Sequence, residues 1–391
     1  MQWTPAKLVP RSAPAVLGVL LLLAIVSFAA VGHLVNRFNA NQQARGRRFY
    51  AQGLADVSAG NLSAAVEDFR AALTYDPTNS QYQLSLGRVL RDTGRLDEAE
   101  AYLLAVWERT PQGGPINLAL GRVAARRGSL DDALRYYHNA IYGVWGSDAD
   151  ANRRRARIEL IEFLLQKRDW SEAQSELVAL AASLPPDPAL HLQAAAFFAQ
   201  AQDYRNALSE YEQVIRIDHS NSAALAGAGE AAYRLGRFRS ASRNLQSAVN
   251  GNPQDSKSRQ LLQSASLILQ TDPFVRRISD AERNRRITAA FFKAGDRLKS
   301  CAQVKGTGLG EPATDAAASP SQSPLTTLAA RWSAMKPDLR RLRSQGESDL
   351  PDAVLDLVLQ IEQETAAECG QPEGVDLALL LISRNREVAD Q

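Results

Sequence analysis

Two fragments of this chain, LSLGRVLRDTGRLDEAEAYL (84–103) and LALGRVAARRGSLDDALRYY (118–137), are near copies set 34 residues apart. Gly87 recurs as Gly121, Gly94 as Gly128 and Ala99 as Ala133. One stride back, the same frame meets Gly53, Gly60 and Ala65, followed by Phe69, Ala72 and a Pro77 that recurs as Pro111. Forwards it meets Trp145 where the next proline is due, and a six-residue shift restores it. Ala173, Ala207 and Ala241 are again 34 apart, with Pro185 and Pro253 in place. A fixed period of this size constrains folding more than any local motif. It marks a stacked repeat, in which neighbours supply the core that one copy cannot form alone.

Inside a copy, apolar residues fall at helical spacing (Leu86, Val89, Leu90), stop at a glycine and resume after a short polar turn. A small residue at one site of each helix lets two backbones approach and cross. A proline after the second helix ends it, having no N–H to continue the ladder. The small site reads Gly53, Gly87, Gly121, Ala195 and Gly229 in the first helix, and Ala65, Ala99, Ala133, Ala173, Ala207 and Ala241 in the second. Four residues later stand Phe69, Leu103, Tyr137, Leu177, Tyr211 and Leu245. This pattern resembles the tetratricopeptide repeat. It departs at Ile161, the fourth copy's small site, and at Trp145 and His219, which replace the closing proline. The resemblance implies an all-α fold: a right-handed α-solenoid of about six helix pairs over 46–255. The shift near 142–153 would add a loop or lengthen a helix, dividing the array into two triplets. The many Ala, Leu, Arg and Gln residues suit helices, and no alternating β-branched run argues for a sheet.

Upstream, residues 12–36 carry no Asp, Glu, Lys or Arg, more than the ~20 apolar residues that cross a bilayer as helix. The expectation is a tail over 1–13 and a single transmembrane helix over 14–36. Ser27-Phe28-Ala29 is an alternative signal-cleavage site, but the apolar run is long for a signal peptide. Lys7 and Arg11 precede the span, whereas Arg37, Arg45, Arg47 and Arg48 follow it. A plain count of positive charges puts the repeats in the cytoplasm, yet long domains translocate largely regardless of charge. The only cysteines, Cys301 and Cys369, suit one disulfide in an oxidising compartment, or else are two unrelated buried thiols. The reading leans to the periplasmic side of a cell inner membrane.

After the repeats, 256–272 reads as an amphipathic helix capping the open end of the array. The basic helix over 273–303 is either a bundle helix with a solvated charged face or a segment for an anionic membrane surface or acidic partner. Residues 304–324, rich in Gly, Ala, Ser, Thr and Pro, read as a linker. Their Gly306, Gly308 and Gly310 follow no strand and do not make a phosphate loop. Residues 325–391 hold further helices, at about 325–345, 350–368 and 373–388. A Cys301–Cys369 bridge would staple 273–391 into a small helical domain across the linker.

No catalytic constellation is present. His33, His138, His191 and His219 do not pair at metal-ligand spacing with one another, with cysteine or with carboxylates. There is no HExxH, CxxC, phosphate loop or GxSxG elbow, and no metal or cofactor is expected. Asp97-Glu98 and Asp131-Asp132 stand in the first turn of a second helix, where they complement its dipole. A net charge of +2 gives no reason to expect nucleic acid.

In the family that the repeats resemble, the first helix of each pair builds the concave wall. Carried onto this chain, its exposed sites include Tyr50, Leu54, Arg88, Arg91, Arg122, Arg126, Glu162, Gln166, Gln200, Glu230 and Arg234. Arg88 and Arg122 are equivalent sites of adjacent copies, with Arg91 and Arg126 about one turn on. They suit an acidic peptide or a chain carboxylate through forked hydrogen bonds, or are solvated with no partner. The sites at which some family members clamp a C-terminal carboxylate carry Tyr50, Leu54, Ser85, Pro115 and Ala119 here, so that docking function does not transfer. The expected function is a membrane-anchored scaffold that binds a protein or peptide, acidic where it meets the arginines. The resemblance and the anchor together suggest an envelope assembly, secretion or quality-control complex of a bacterium. The alternative is a signal-cleaved periplasmic carrier of extended chains. Self-association through the groove or the terminal helices stays open.

Overall fold

The computed structural model describes residues 13–275, 277–306, 323–343 and 349–389. Among these residues lie seventeen α-helices and no strand. All but Ala13 of the expected tail, and residues 307–322 of the expected linker, lie outside the described residues. The chain falls into two compact units, Met1–Asp169 and Trp170–Gln391. The boundary passes between the two helices of the fourth copy.

The first unit holds α1 (Ala13–Ser58), α2 (Leu62–Tyr75), α3 (Ser80–Asp92), α4 (Leu96–Trp107), α5 (Gly114–Arg127), α6 (Leu130–Ile141) and α7 (Ala149–Lys167). The sequence reading separates an apolar span from the first repeat; the structure runs both as one 46-residue helix. Residues 36–45 contain neither Pro nor Gly, so nothing interrupts the ladder. From Gly18 to Ala40 every residue of α1 is exposed, including Phe28 at 83 % and Leu34 at 71 %. Burial begins at Gly46, which faces Tyr75 and Tyr82. Among the described residues α1 is the one helix long and apolar enough to cross a membrane.

The repeat chemistry is visible in the packing. A Cβ on Gly87 would lie 2.6 Å from Leu103, and Gly53 meets Phe69 in the same way one copy earlier. The small site of a first helix thus receives the large residue of its own second helix. Leu86, Leu90 and Leu103 are fully buried, each contributing roughly 1.5–3 kcal/mol of apolar transfer. The turn within each pair uses one left-handed residue: Gly60, Gly94, Gly128, Arg168, Gln202 and Gly236, all with φ between 60° and 80°. These six positions keep the 34-residue stride except for the single six-residue shift. Arg168 and Gln202 adopt without glycine a conformation that costs an L-residue about 1–2 kcal/mol. Adjacent copies share a polar lock as well. Gln83 donates to the Pro77 carbonyl at 2.9 Å, and Asn117, one stride on, donates to that of Pro111 at 2.8 Å.

The shift adds both a loop and a longer helix. The loop between α6 and α7 carries the bridge between Gly113 and Val144, and Trp145 donates to the Ala140 carbonyl at 2.8 Å. The Trp145 ring lies against Gly114, where a Cβ would stand 2.2 Å from it. This accounts for tryptophan in place of the closing proline. Helix α7 has 19 residues against 14 in α5.

The second unit comprises α8 (Trp170–Ala181), α9 (Pro188–Gln200), α10 (Tyr204–Ile217), α11 (Ser222–Arg234), α12 (Phe238–Gly251) and α13 (Ser256–Thr271). Its C-terminal part is α14 (Asp280–Val304), α15 (Pro324–Met335), the 3-10 segment Lys336–Arg343, α16 (Leu350–Cys369) and α17 (Gly374–Ala389). The expected capping helix is α13, and it is itself covered. Phe238 of α12 and Ile268 of α13 join one apolar core with Phe291, Trp332, Val358 and Leu379 of the bundle. The basic helix is α14, and its apolar face (Ile287, Ala290, Phe291, Ala294, Leu298) is buried in that core. Asn385 of α17 donates to the Gly236 carbonyl in the last repeat's turn at 3.2 Å. Cys301 and Cys369 form a disulfide with S–S 2.00 Å, joining the ends of α14 and α16.

Candidate partner-binding groove

Of the residues singled out from sequence, Tyr50 stands on α1, Arg88 and Arg91 on α3, and Arg122 and Arg126 on α5, all in the first unit. Arg234 stands on α11 in the second unit, 4.0 Å from Glu230 and with its guanidinium 5.9 Å from the Tyr204 ring centroid.

Tyr50 is held from two sides. Its ring packs 5.5 Å from Phe69 and 4.8 Å from Tyr82, and its hydroxyl lies 3.1 Å from Ser85 Oγ. That bond ties α1 to α3 at the wall. Leu54 and Val57 follow on α1 and remain 44 % and 38 % exposed.

The four arginines are not equivalent. Arg122 makes a forked pair with Glu159 of α7, through Nε at 2.7 Å and Nη2 at 2.6 Å. That hydrogen-bonded carboxylate raises the pKa of the Arg122 guanidinium above its ordinary value despite partial burial. Arg91 is turned onto its neighbour Asp92, with Nε at 2.9 Å. Arg126 donates to the Arg91 carbonyl at 3.2 Å and stands 3.7 Å from Asp92. Arg88 makes no hydrogen bond or ion pair among the described residues, and its buried Nε has no acceptor. Its pKa is lowered, first by burial and then by the like charges of Arg122 and Arg91. Burial, and then Glu159, raise the pKa of the nearby Tyr137 and Glu162.

Sequence reading missed the carboxylates that neutralise this patch. Asp92 adjoins Arg91, and Glu159 lies 37 residues from Arg122. The available signal was positional: with the six-residue shift, Glu162 is the site equivalent to Arg122, and Glu159 stands about one turn before it.

Paired helices with small-on-large contacts, left-handed turns at one stride and a shared inter-copy lock settle what kind of repeat this is. The tetratricopeptide-repeat family model matches residues 50–114, and a second model of that repeat matches 198–265. The chain carries tetratricopeptide repeats. No curated protein sequence matches it. Among solved structures it is similar to Pseudomonas aeruginosa pilF, at 16 % identity and TM-score 0.40 over 57 % of this chain and 99 % of that one. It is similar to YrrB, described as a TPR protein with an unusual peptide-binding site, at 16 % identity and TM-score 0.39 over 50 % and 97 %. It is also similar to PilW, a widely conserved type IV pilus biogenesis factor, at 15 % identity and TM-score 0.39 over 56 % and 98 %. Tetratricopeptide repeats are scaffolds for protein–protein interaction.

Proposed function

We propose that this protein is a single-pass membrane-anchored adaptor that captures a polypeptide partner on the first-helix wall of its repeats. Its setting would be an envelope assembly, secretion or quality-control complex. The observation that carries the reading is α1. One unbroken helix is apolar and fully exposed over its first part, then packs as the first helix of the first repeat. An apolar exposed surface of this length is costly in water and is matched by lipid. The repeat wall then begins a few helical turns from the bilayer surface. The disulfide of the bundle favours the periplasmic side, because such bonds persist in oxidising compartments. The partner is acidic where it meets α3.

Extraction of membranes with alkaline carbonate, followed by N-terminal sequencing, tests the anchor. The full chain is expected to stay in the membrane fraction with its N-terminal segment intact. A soluble product beginning near Ala30 would instead establish the carrier alternative. For the side of the membrane, a membrane-impermeant maleimide applied to intact cells is expected to label Cys301 and Cys369 only after reduction. Labelling of intact cells without reduction would still place the bundle outside but deny the disulfide, whereas labelling that appears on lysis alone, without denaturation, would count against the periplasmic assignment.

A further inference from the structure

The pairing that neutralises Arg122 recurs in register but not in chemistry. Arg122 and Arg88 are equivalent sites, and Glu159 supplies the carboxylate to Arg122 from the following copy. The site equivalent to Glu159 one copy earlier is Ala119, a buried methyl. Register therefore offers Arg88 an alanine where it offers Arg122 an acid. Asp92 cannot make up the deficit, since it is engaged by Arg91 and Arg126. An arginine cannot neutralise itself by losing its proton, so the charge of Arg88 stays in the groove, half-buried and crowded by two like charges.

Helix α1, tied to α3 through Tyr50, adds an exposed apolar side chain to the wall. The Tyr50–Ser85 bond sets α1 against α3. One turn further along each helix come Leu54 and Arg88, and Leu54 is 44 % exposed. An anion alone would match the guanidinium, but a polypeptide matches both features at once.

We infer that Arg88 is the anion-receiving subsite of the groove, taking one carboxylate of an extended peptide whose adjacent apolar side chain packs on Leu54. Arg122 is not part of that subsite, because its Nε–Nη2 fork is already engaged and its charge matched by Glu159. The carboxylate comes from an acidic side chain or from a chain terminus; both present the same forked acceptor to a guanidinium. The inference rests on reading the groove as a polypeptide-binding wall, and names the residue that sets its selectivity.

The test uses the full-length protein in detergent micelles and three fluorescein-labelled heptapeptides, read by anisotropy. The first has a central glutamate between two leucines and an amidated end. The second replaces that glutamate by glutamine. The third keeps the glutamine but ends in leucine with a free carboxylate. The first or the third is expected to bind at least ten-fold tighter than the second, and which of them does so identifies the source of the carboxylate. Arg88→Gln is expected to erase the difference, while Arg135→Gln, on the second helix of the third copy and paired with Asp132 at 2.7 Å, keeps it. Arg88→Gln removes an unmatched charge, so its Tm is expected to equal or exceed that of the parent, and loss of binding cannot then be laid to unfolding. Equal binding of all three peptides, or an acid preference that survives Arg88→Gln, overturns the subsite and leaves the groove reading standing. Absence of binding by every peptide overturns both.

Discussion

Arg88 in the repeats and Glu362 in the bundle are both ionisable groups short of hydrogen-bond partners, and the two units treat them differently. Arg88 is half-buried at a wall, with solvent in reach. Glu362 is fully buried, and neither of its oxygens receives a hydrogen bond. Arg297 lies 3.3 Å away, but its Nε donates to Thr365 Oγ1 at 2.8 Å and its Nη2 to the Gly370 carbonyl at 2.9 Å. Burial, and then the Asp376 carboxylate, push the Glu362 pKa up to about 8. Asp376 is itself raised by burial, with Lys293 at 3.7 Å opposing the shift. A carboxyl in such a place takes up a proton and becomes neutral. A guanidinium has no such escape. The bundle can therefore absorb a misfit charge internally, whereas the repeat wall must leave its own for an outside anion.

The same contrast runs through the way each unit is closed. Repeats are held by neighbours in sequence. The bundle is closed by a bond across 68 residues. Replacing both Cys301 and Cys369 by serine is the strongest way to break the comparison. By loop-closure entropy it costs the bundle about 4 kcal/mol. Hydrogen exchange should show α14 and α16 losing protection while α2 to α6 keep theirs; uniform loss throughout would deny the units their independence.

Next in size is pH. The folded-state pKa of Glu362 lies above its ordinary value of 4.5, so the folded bundle binds the proton more tightly than the unfolded chain does. That stability is present in full below about pH 4.5 and is lost as pH rises through about 8. Glu362→Gln should flatten this slope and stabilise the bundle by about 1–2 kcal/mol at pH 8, read from urea midpoints at pH 5 and pH 8. A variant with the parent's slope would exonerate Glu362.

In the repeats, Gly87→Val is expected to cost about 1–3 kcal/mol, because its side chain would collide with Leu103. A melting temperature unchanged from the parent would show that the helix pair opens without penalty. The smallest effects separate the two equivalent arginines. Arg122→Gln should destabilise by about 1 kcal/mol by leaving Glu159 near Glu162 without the cation that pairs it, and Arg88→Gln should not destabilise at all. Equal losses in thermal melts would make the arginines alike and remove the asymmetry.

Much of the fold was legible. The stride, the small and large sites and the turn glycines specify helix pairs because each acts within one copy. The α6–α7 joint was legible as a place but not as a shape, since Trp145 finds its partners in a loop bridge and in Gly114. The unbroken α1 could have been read from the absence of Pro and Gly over 36–45, but the change of role from apolar span to repeat helix hides it. Five arginines were named for the groove, and sequence treated Arg88 and Arg122 as a matched pair. They differ because their partners come from the next copy, at a site holding Ala119 in one case and Glu159 in the other.

The sequence by itself determined that this protein is built of stacked helix pairs behind a long apolar helix. Steric fit and apolar periodicity act over a few residues and repeat with the chain. Only the tertiary structure decided which charges are spent and which remain. An ion pair depends on two side chains from separate helices arriving within about 3 Å, and that distance is set by the packing of everything between them.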